Sequence, residues 1–257
     1  AGLLFTWWLI PRVGGDRTCL RLAVGAYLLK VLLMAVLFYA SLQGWPLLRE
    51  YQGGEGFWEF AEDAQGHHNT ALYFSRAWSG EWPQLPHVTV DNWWFICYIA
   101  FFYSIPSLIR LPFLGPQPLA VMGLNAWYGT LIVGAGIVIM RRWGLAASAV
   151  CVGTALLAFW PSLLLWSAQL VKEPLILALI MVGLAALVRV LDEPREGAAR
   201  YAPAAAAIAL VAFLLTLFRS YTGAVFFMTA ATLFGGCAVV AVAKRRYHQL
   251  GRFLVLL

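Results

Sequence analysis

Seven apolar runs, at about 19–43, 93–114, 118–140, 145–162, 174–191, 201–221 and 222–243, occupy most of this chain, and charged residues gather at their ends. About 20 apolar residues are what a helix needs to cross the roughly 30 Å hydrocarbon core of a bilayer. Inside that core each backbone amide must find its partner within the protein, which confines the chain to helices or a closed barrel. Runs of this length predict an all-α integral membrane protein. A mean hydropathy of +0.76 with 62% hydrophobic residues excludes an ordinary soluble domain.

Charge decides which runs cross. The net charge of +6 sits in short clusters at run ends, which fits membrane topology and not a phosphate-binding stripe, so no nucleic-acid partner is expected. Suppose that 93–114 lies along the outer face. Arg12/Arg17/Arg21, Arg141/Arg142, Arg189/Arg195/Arg200 and Lys244/Arg245/Arg246 then all fall inside. If 93–114 crossed, every basic cluster after the first would fall outside. Pro106, Arg110 and Pro112 also interrupt that run, and an arginine near the bilayer centre is costly. The expectation is six spanning helices, an interfacial segment broken near Pro106, and a cytoplasmic amino terminus in a bacterial inner membrane. One membrane domain, 1–257, would carry a first outer loop at 44–117, a second at 162–173 and a basic cytoplasmic tail at 244–257.

Seven of the twelve acidic residues (Glu50, Glu55, Glu59, Glu62, Asp63, Glu81 and Asp91) fall between residues 44 and 92. Helical spacing over 57–65 and 67–78, with Gly66 between, predicts two amphipathic helices there. Were the turn to stay helical, Glu59, Asp63 and His67 would share one stripe, able to hold a divalent cation or to supply a general base. Two ligands from Asp63 and His67 are too few for a metal site, so none is predicted, and a divalent cation stays an open cofactor. For Glu59 and Glu62 a solvated amphipathic helix on the membrane surface is the plainer reading. Lys172 and Glu173 lie in a short loop where Pro161 ends one span and Pro174 starts the next; an interfacial anchor is the plainer reading of that pair. Residues 219–223, RSYTG, read as a tight outer turn punctuated by Gly223.

Other features point to no chemistry. Cys19, Cys97, Cys151 and Cys237 are far apart in sequence, form no CxxC pair and read as small apolar residues without metal or disulfide roles. His87 reads as a loop residue and His248 as part of a headgroup patch. Lys30 is a charge inside the first span and has no assigned role. The opening LLFTWWLI is too short to span, and Ala1 in place of a methionine is read as the start of a processed or partial chain. There is no GxSxG, Walker loop or HExxH, so a membrane-delivered activated substrate is the remaining route to chemistry on the outer face.

Three stretches carry a resemblance: EDAQGHHNTALYFSRAWSGEWP (62–83), LNAWYGTLIVGAGIVIMRRWG (124–144) and FWPSLLLWSAQLVKEPLILALI (159–180). In order and approximate spacing, over roughly 19–191, the chain resembles the C-type glycosyltransferase superfamily, which includes protein O-mannosyltransferases and aminoarabinose transferases. It differs in having fewer spans, no soluble outer domain, and His67-His68 where an aromatic residue is common. The resemblance implies a polyprenyl-phosphate-linked sugar as donor and catalysis on the outer face. It implies Asp63 as general base in a desolvated site, with Glu173 orienting the acceptor or binding a cation. Lys172 and Arg219, with Arg110, would hold the lipid phosphate, and His67 would line the substrate site. Beyond the lipid bilayer and this donor, other membrane subunits are the partners to consider. The competing expectation is a non-catalytic structural or interaction subunit of a larger membrane assembly, in which those same residues are buried in contacts or scattered. A channel or transporter would rest on Lys30 alone.

Overall fold

The computed structural model describes residues 1–46, 48–80, 92–108, 118–192 and 202–243. Among them the chain forms ten helices: α1 (Gly2–Arg12), α2 (Arg17–Gln43), α3 (Glu62–Trp78), α4 (Trp93–Leu108), α5 (Pro118–Arg142), α6 (Ala147–Ala158), α7 (Pro161–Ser167), α8 (Glu173–Asp192), α9 (Ala202–Phe218) and α10 (Ser220–Ala243). One small antiparallel hairpin, β1 (Gln52–Gly54) and β2 (Phe57–Trp58), is the only departure from the expected all-α class among these residues.

Among the described residues, three helices are long and apolar enough to cross a membrane: α2, α5 and α8, with mean hydropathies of 2.1, 1.5 and 2.5 over their best windows. Helices α6 and α7 make a fourth if that pair, bent by 46° across Phe159 and Trp160, counts as one span. The six expected spans are therefore matched in part. Helix α4 has sixteen residues, about 24 Å of rise, which is short of the hydrocarbon core. Pro106 lies within its last turn, and the remainder of the 93–114 segment, including Arg110, lies outside the described residues.

The apolar helices differ in how much of their surface the protein covers. In the most apolar stretch of α5, 72% is buried, against 28% for α2 and 39% for α8, so α5 is the axis around which the others pack. Its small residues allow this. A side chain on Gly136 would strike Leu157 of α6, and one on Gly129 would strike the Lys30 ammonium, which is buried against α5. The outward faces of the rim helices carry Leu28, Leu32 and Val36 on α2, Val152 and Leu156 on α6, and Val225, Phe227 and Met228 on α10, all exposed. An aqueous protein seldom leaves contiguous apolar area of this kind uncovered, whereas lipid covers it at no cost.

Helix α2 is capped at both ends. Asp16 accepts the Cys19 amide at 2.8 Å, and Gly44 closes the other end in the left-handed conformation with Trp45 N–H returning to the Ala40 carbonyl. The chain then turns through β1 and β2. Glu55 and Gly56 both have positive φ, 53° and 93°, as a two-residue hairpin turn of this hand requires. Ser41 Oγ donates to the Phe57 carbonyl at 2.6 Å and Trp58 Nε1 to the Leu37 carbonyl at 2.8 Å, which fastens the hairpin to the end of α2. Gly56 sits against the Phe38 ring so closely that no side chain fits.

Two local expectations are corrected here. Residues 57–61 are strand and a 3-10 turn, because hairpin pairing and the tie to α2 override their helical spacing. Helix α3 then runs unbroken through Gly66, since one glycine costs a helix only about 1 kcal/mol. The expected outer turn at 219–223 is shorter than its sequence implies: α9 ends at Phe218 and α10 begins at Ser220. Gly223 lies inside α10, where a Cβ would come within 2.7 Å of Thr216 backbone atoms. Its role is close helix approach and not chain reversal.

Candidate functional site

The chain between α7 and α8, residues 168–172, is non-helical and buried throughout. Irregular backbone at this depth persists only where the protein supplies its hydrogen bonds. Asn125 of α5 does so, donating from one amide nitrogen to the Gln169 carbonyl at 2.6 Å and the Val171 carbonyl at 3.2 Å. His67 of α3 does so from the other side, with Nδ1 3.3 Å from the Leu170 carbonyl. Pro161 begins α7 where the sequence places the end of a span, and its missing N–H costs nothing at that position. What the sequence predicts as an exposed second outer loop is thus a short helix followed by a buried polar strap.

The Leu170 carbonyl only accepts, so Nδ1 of His67 carries the proton and neutral His67 presents an Nε2 lone pair. That Nε2 is buried with no protein partner, as are Ser167 Oγ at the end of α7 and Gln169 Oε1 on the strap. Each buried polar atom left unpaired costs about 1–3 kcal/mol, so each of these three is a group that a further polar partner would satisfy. Burial holds the His67 pKa below its ordinary 6.5. The Leu170 carbonyl, Asp63 and Glu173 oppose that effect, and Lys172 reinforces it. His67 therefore lies within the fields of three charged residues drawn from two separate stretches of chain.

Lys172 is buried and its Nζ donates to Asn92 Oδ1, just before α4. Glu173, the first residue of α8, pairs with Arg219 in the α9–α10 turn at 3.9 Å, and the Arg219 guanidinium also lies over the Tyr221 ring. With the two side chains 28% and 37% exposed, that ion pair contributes no more than about 1 kcal/mol. Asp63, one turn before His67 on α3, is exposed, where the sequence reading expects a desolvated carboxylate. Of the predicted residues, His67, Lys172, Glu173 and Arg219 are brought together with Asp63 beside them. Arg110 lies outside the described residues. Glu59 precedes α3 and does not share its face; with Glu62, Gln65 and Gly53 it lines a separate cleft of about 440 Å³.

Sequence reasoning missed Asn125, Ser167 and Gln169. A buried asparagine in the most enclosed apolar helix was the available signal, since a buried amide needs partners and the strap carbonyls supply them. His68, the second member of the pair, is accounted for by packing: its Nδ1 is 2.8 Å from the Tyr103 hydroxyl and its ring lies against Phe57.

Among the described residues, Arg141 and Arg189 share the opposite end; Arg195 and Arg200 lie outside the described residues. Arg141 Nε donates to the Gly14 carbonyl at 3.1 Å, joining the α1–α2 turn to the end of α5, and Arg189 lines a cleft with Val138 nearby. Sixteen residues of α5 separate Asn125 from Arg141, about 24 Å of rise. The cluster at 244–246 lies outside the described residues.

No protein-family model, curated protein or solved structure matches this chain.

The burial of His67 fixes a pH dependence. Its folded pKa is depressed, so its contribution to stability is complete above about pH 6.5 and is lost as pH falls through the lower, folded value. His68, also depressed chiefly by burial, adds in the same direction. The expected result is a thermal midpoint in detergent that is flat from about pH 8 to 7 and falls below about 6.5. The fall should be shallower in His67→Gln. An identical pH profile in that variant would show that His67 is not buried neutral.

Proposed function

We propose that this protein is a membrane glycosyltransferase of the C type, or a module of one, which transfers a sugar from a polyprenyl-phosphate donor to an acceptor hydroxyl. The observation that carries the proposal is the buried strap 168–172, where His67 meets the Leu170 carbonyl within the fields of Asp63, Lys172 and Glu173, and Glu173 pairs with Arg219. Such a reaction needs cations at the departing phosphate and a proton acceptor at the attacking hydroxyl. Arg219 and Lys172 meet the first need, by exchanging their present partners Glu173 and Asn92 for phosphate oxygens as negative charge develops. Asp63 meets the second as general base, and His67 Nε2 accepts a hydrogen bond from a sugar or acceptor hydroxyl. Glu173, released from Arg219, orients the acceptor or binds a divalent cation. The apolar flanks of α8 and α9 would receive the lipid tail. In this proposal the full six-span topology holds, with the strap facing outward and the end bearing Arg12, Arg141 and Arg189 in the cytoplasm.

A second reading has its own support. Lys172 is buried and hydrogen-bonded, and Arg219 is paired, as expected of a structural subunit whose charges serve packing. Donor binding separates the two readings. For the enzyme, Arg219→Ala and Lys172→Ala should each weaken binding of a short polyprenyl phosphate by about 10- to 100-fold, about 1–3 kcal/mol per charge-assisted contact. For the structural subunit, the wild-type protein binds no polyprenyl phosphate above the level of an uncharged polyprenol, and that result ends the enzyme proposal.

A further inference from the structure

The opposite end of the bundle holds a cluster that the proposed transferase chemistry does not use. Asp16, Cys19 and Cys151 come from the cap of α2, its first turn and the first turns of α6, and their ligand atoms lie within 4.8 Å of one another. Cys19 Sγ and Cys151 Sγ are 3.6 Å apart. Cys151 Sγ is 3.5 Å from Asp16 Oδ2 and 3.7 Å from Oδ1. Two cysteines 132 positions apart in sequence are thus neighbours, although their sequence spacing gives no sign of a shared site.

Two of the three edges match a tetrahedral ion, and the third, from Cys19 Sγ to the Asp16 carboxylate, is within 4.8 Å. A zinc ion holds sulfur at about 2.3 Å and carboxylate oxygen at about 2.0 Å, so tetrahedral angles set sulfur–sulfur at about 3.8 Å and sulfur–oxygen at about 3.5 Å. The observed edges are 3.6 and 3.5 Å. A disulfide would need the sulfurs about 1.5 Å closer. We infer that Asp16, Cys19 and Cys151 form a binding site for a thiophilic divalent cation of the zinc class, with solvent as the fourth ligand at the exposed Asp16 edge.

Several neighbouring features suit this assignment. Asp16 Oδ1 is fixed by the Cys19 amide at 2.8 Å, which orients the carboxylate and leaves Oδ2 on the Cys151 side. Thr154 Oγ1, fully buried, donates to Cys19 Sγ at 3.6 Å, as an outer hydrogen bond to a metal-bound thiolate does. Binding releases two thiol protons to solvent, and the occupied site carries one net negative charge. Arg17 adjoins Asp16 in the chain and Arg141 is tied to the Gly14 carbonyl, so the arginine-rich surroundings favour that anion. The site would join α2 to α6 at the end of the bundle remote from the strap.

Cobalt(II) titration of the full chain in detergent, reduced with a phosphine and stripped by chelator, tests the assignment. The expected result is one equivalent bound, with the thiolate charge-transfer band and the intense visible bands of tetrahedral cobalt, displaced by zinc. Cys151→Ala should remove the charge-transfer band or halve it and weaken binding at least 100-fold, while Cys97→Ala leaves it unchanged. Asp16→Asn is the second variant, because asparagine caps a helix as well as aspartate and so preserves the fold. It should weaken cobalt at least tenfold with an unchanged metal-free thermal midpoint. No charge-transfer band in the reduced wild type, wild-type affinity in Asp16→Asn, or a Cys19–Cys151 disulfide in protein trapped with alkylating agent directly from cells would overturn the site.

Discussion

On the proposed transferase function, Asp63→Asn is expected to abolish sugar transfer, lowering turnover by about 10²- to 10⁴-fold, the usual contribution of a positioned general base. Because Asp63 is exposed, near the start of α3, the same change should leave stability within about 0.5 kcal/mol. Measuring transfer from a polyprenyl-phosphate sugar, alongside thermal unfolding, separates the two effects. Full activity in Asp63→Asn would remove Asp63 from the chemistry. Were His67→Gln then the inactive variant, the base would be His67, whose Nε2 lone pair already lies in the buried site.

Asn125→Ala should be the most damaging single change on α5. It strips the Gln169 and Val171 carbonyls of their shared donor while both residues stay buried. At about 1–3 kcal/mol for each acceptor left unpaired, the loss should be about 2–5 kcal/mol. Unfolding in detergent measures that loss, and hydrogen exchange over 168–172 should rise selectively, because the strap would loosen before the helices. A change below about 0.5 kcal/mol would mean that the strap is held by its ends alone.

The sequence was a good guide wherever a feature is periodic and local. Helices α2, α5 and α8 begin and end within a few residues of the apolar runs that predict them, because bilayer-length hydrophobicity and flanking charge act segment by segment. It was a poor guide where distant segments decide. Residues 57–61 have helical spacing, yet Ser41 and Trp58 tie them to α2 as a strand and turn. The pairing of Gly54 with Phe57 has a visible signal in the Gly-Gly-Glu-Gly run at 53–56, within the segment expected as the first outer loop. Lys172 looks like an interfacial anchor in sequence, and only the packing of Asn92 against it makes it a buried cation. Cys19 and Cys151 could not be matched at all without the approach of α2 to α6, helices that pack on one another and both on α5.

The strap has a consequence for how the protein is made. Both groups that receive its carbonyls, His67 and Asn125, precede it in the chain by 103 and 44 residues from the bonds they form. A ribosome therefore delivers the donors first and the irregular segment afterwards. When residues 168–172 emerge, the hydrogen-bonding partners that let them leave water have already been synthesised, and the segment need never wait unpaired. Reversing that order by circular permutation, with α7 and α8 synthesised before α3 and α5, would ask the same final structure to pass through a stage in which nothing shelters the strap.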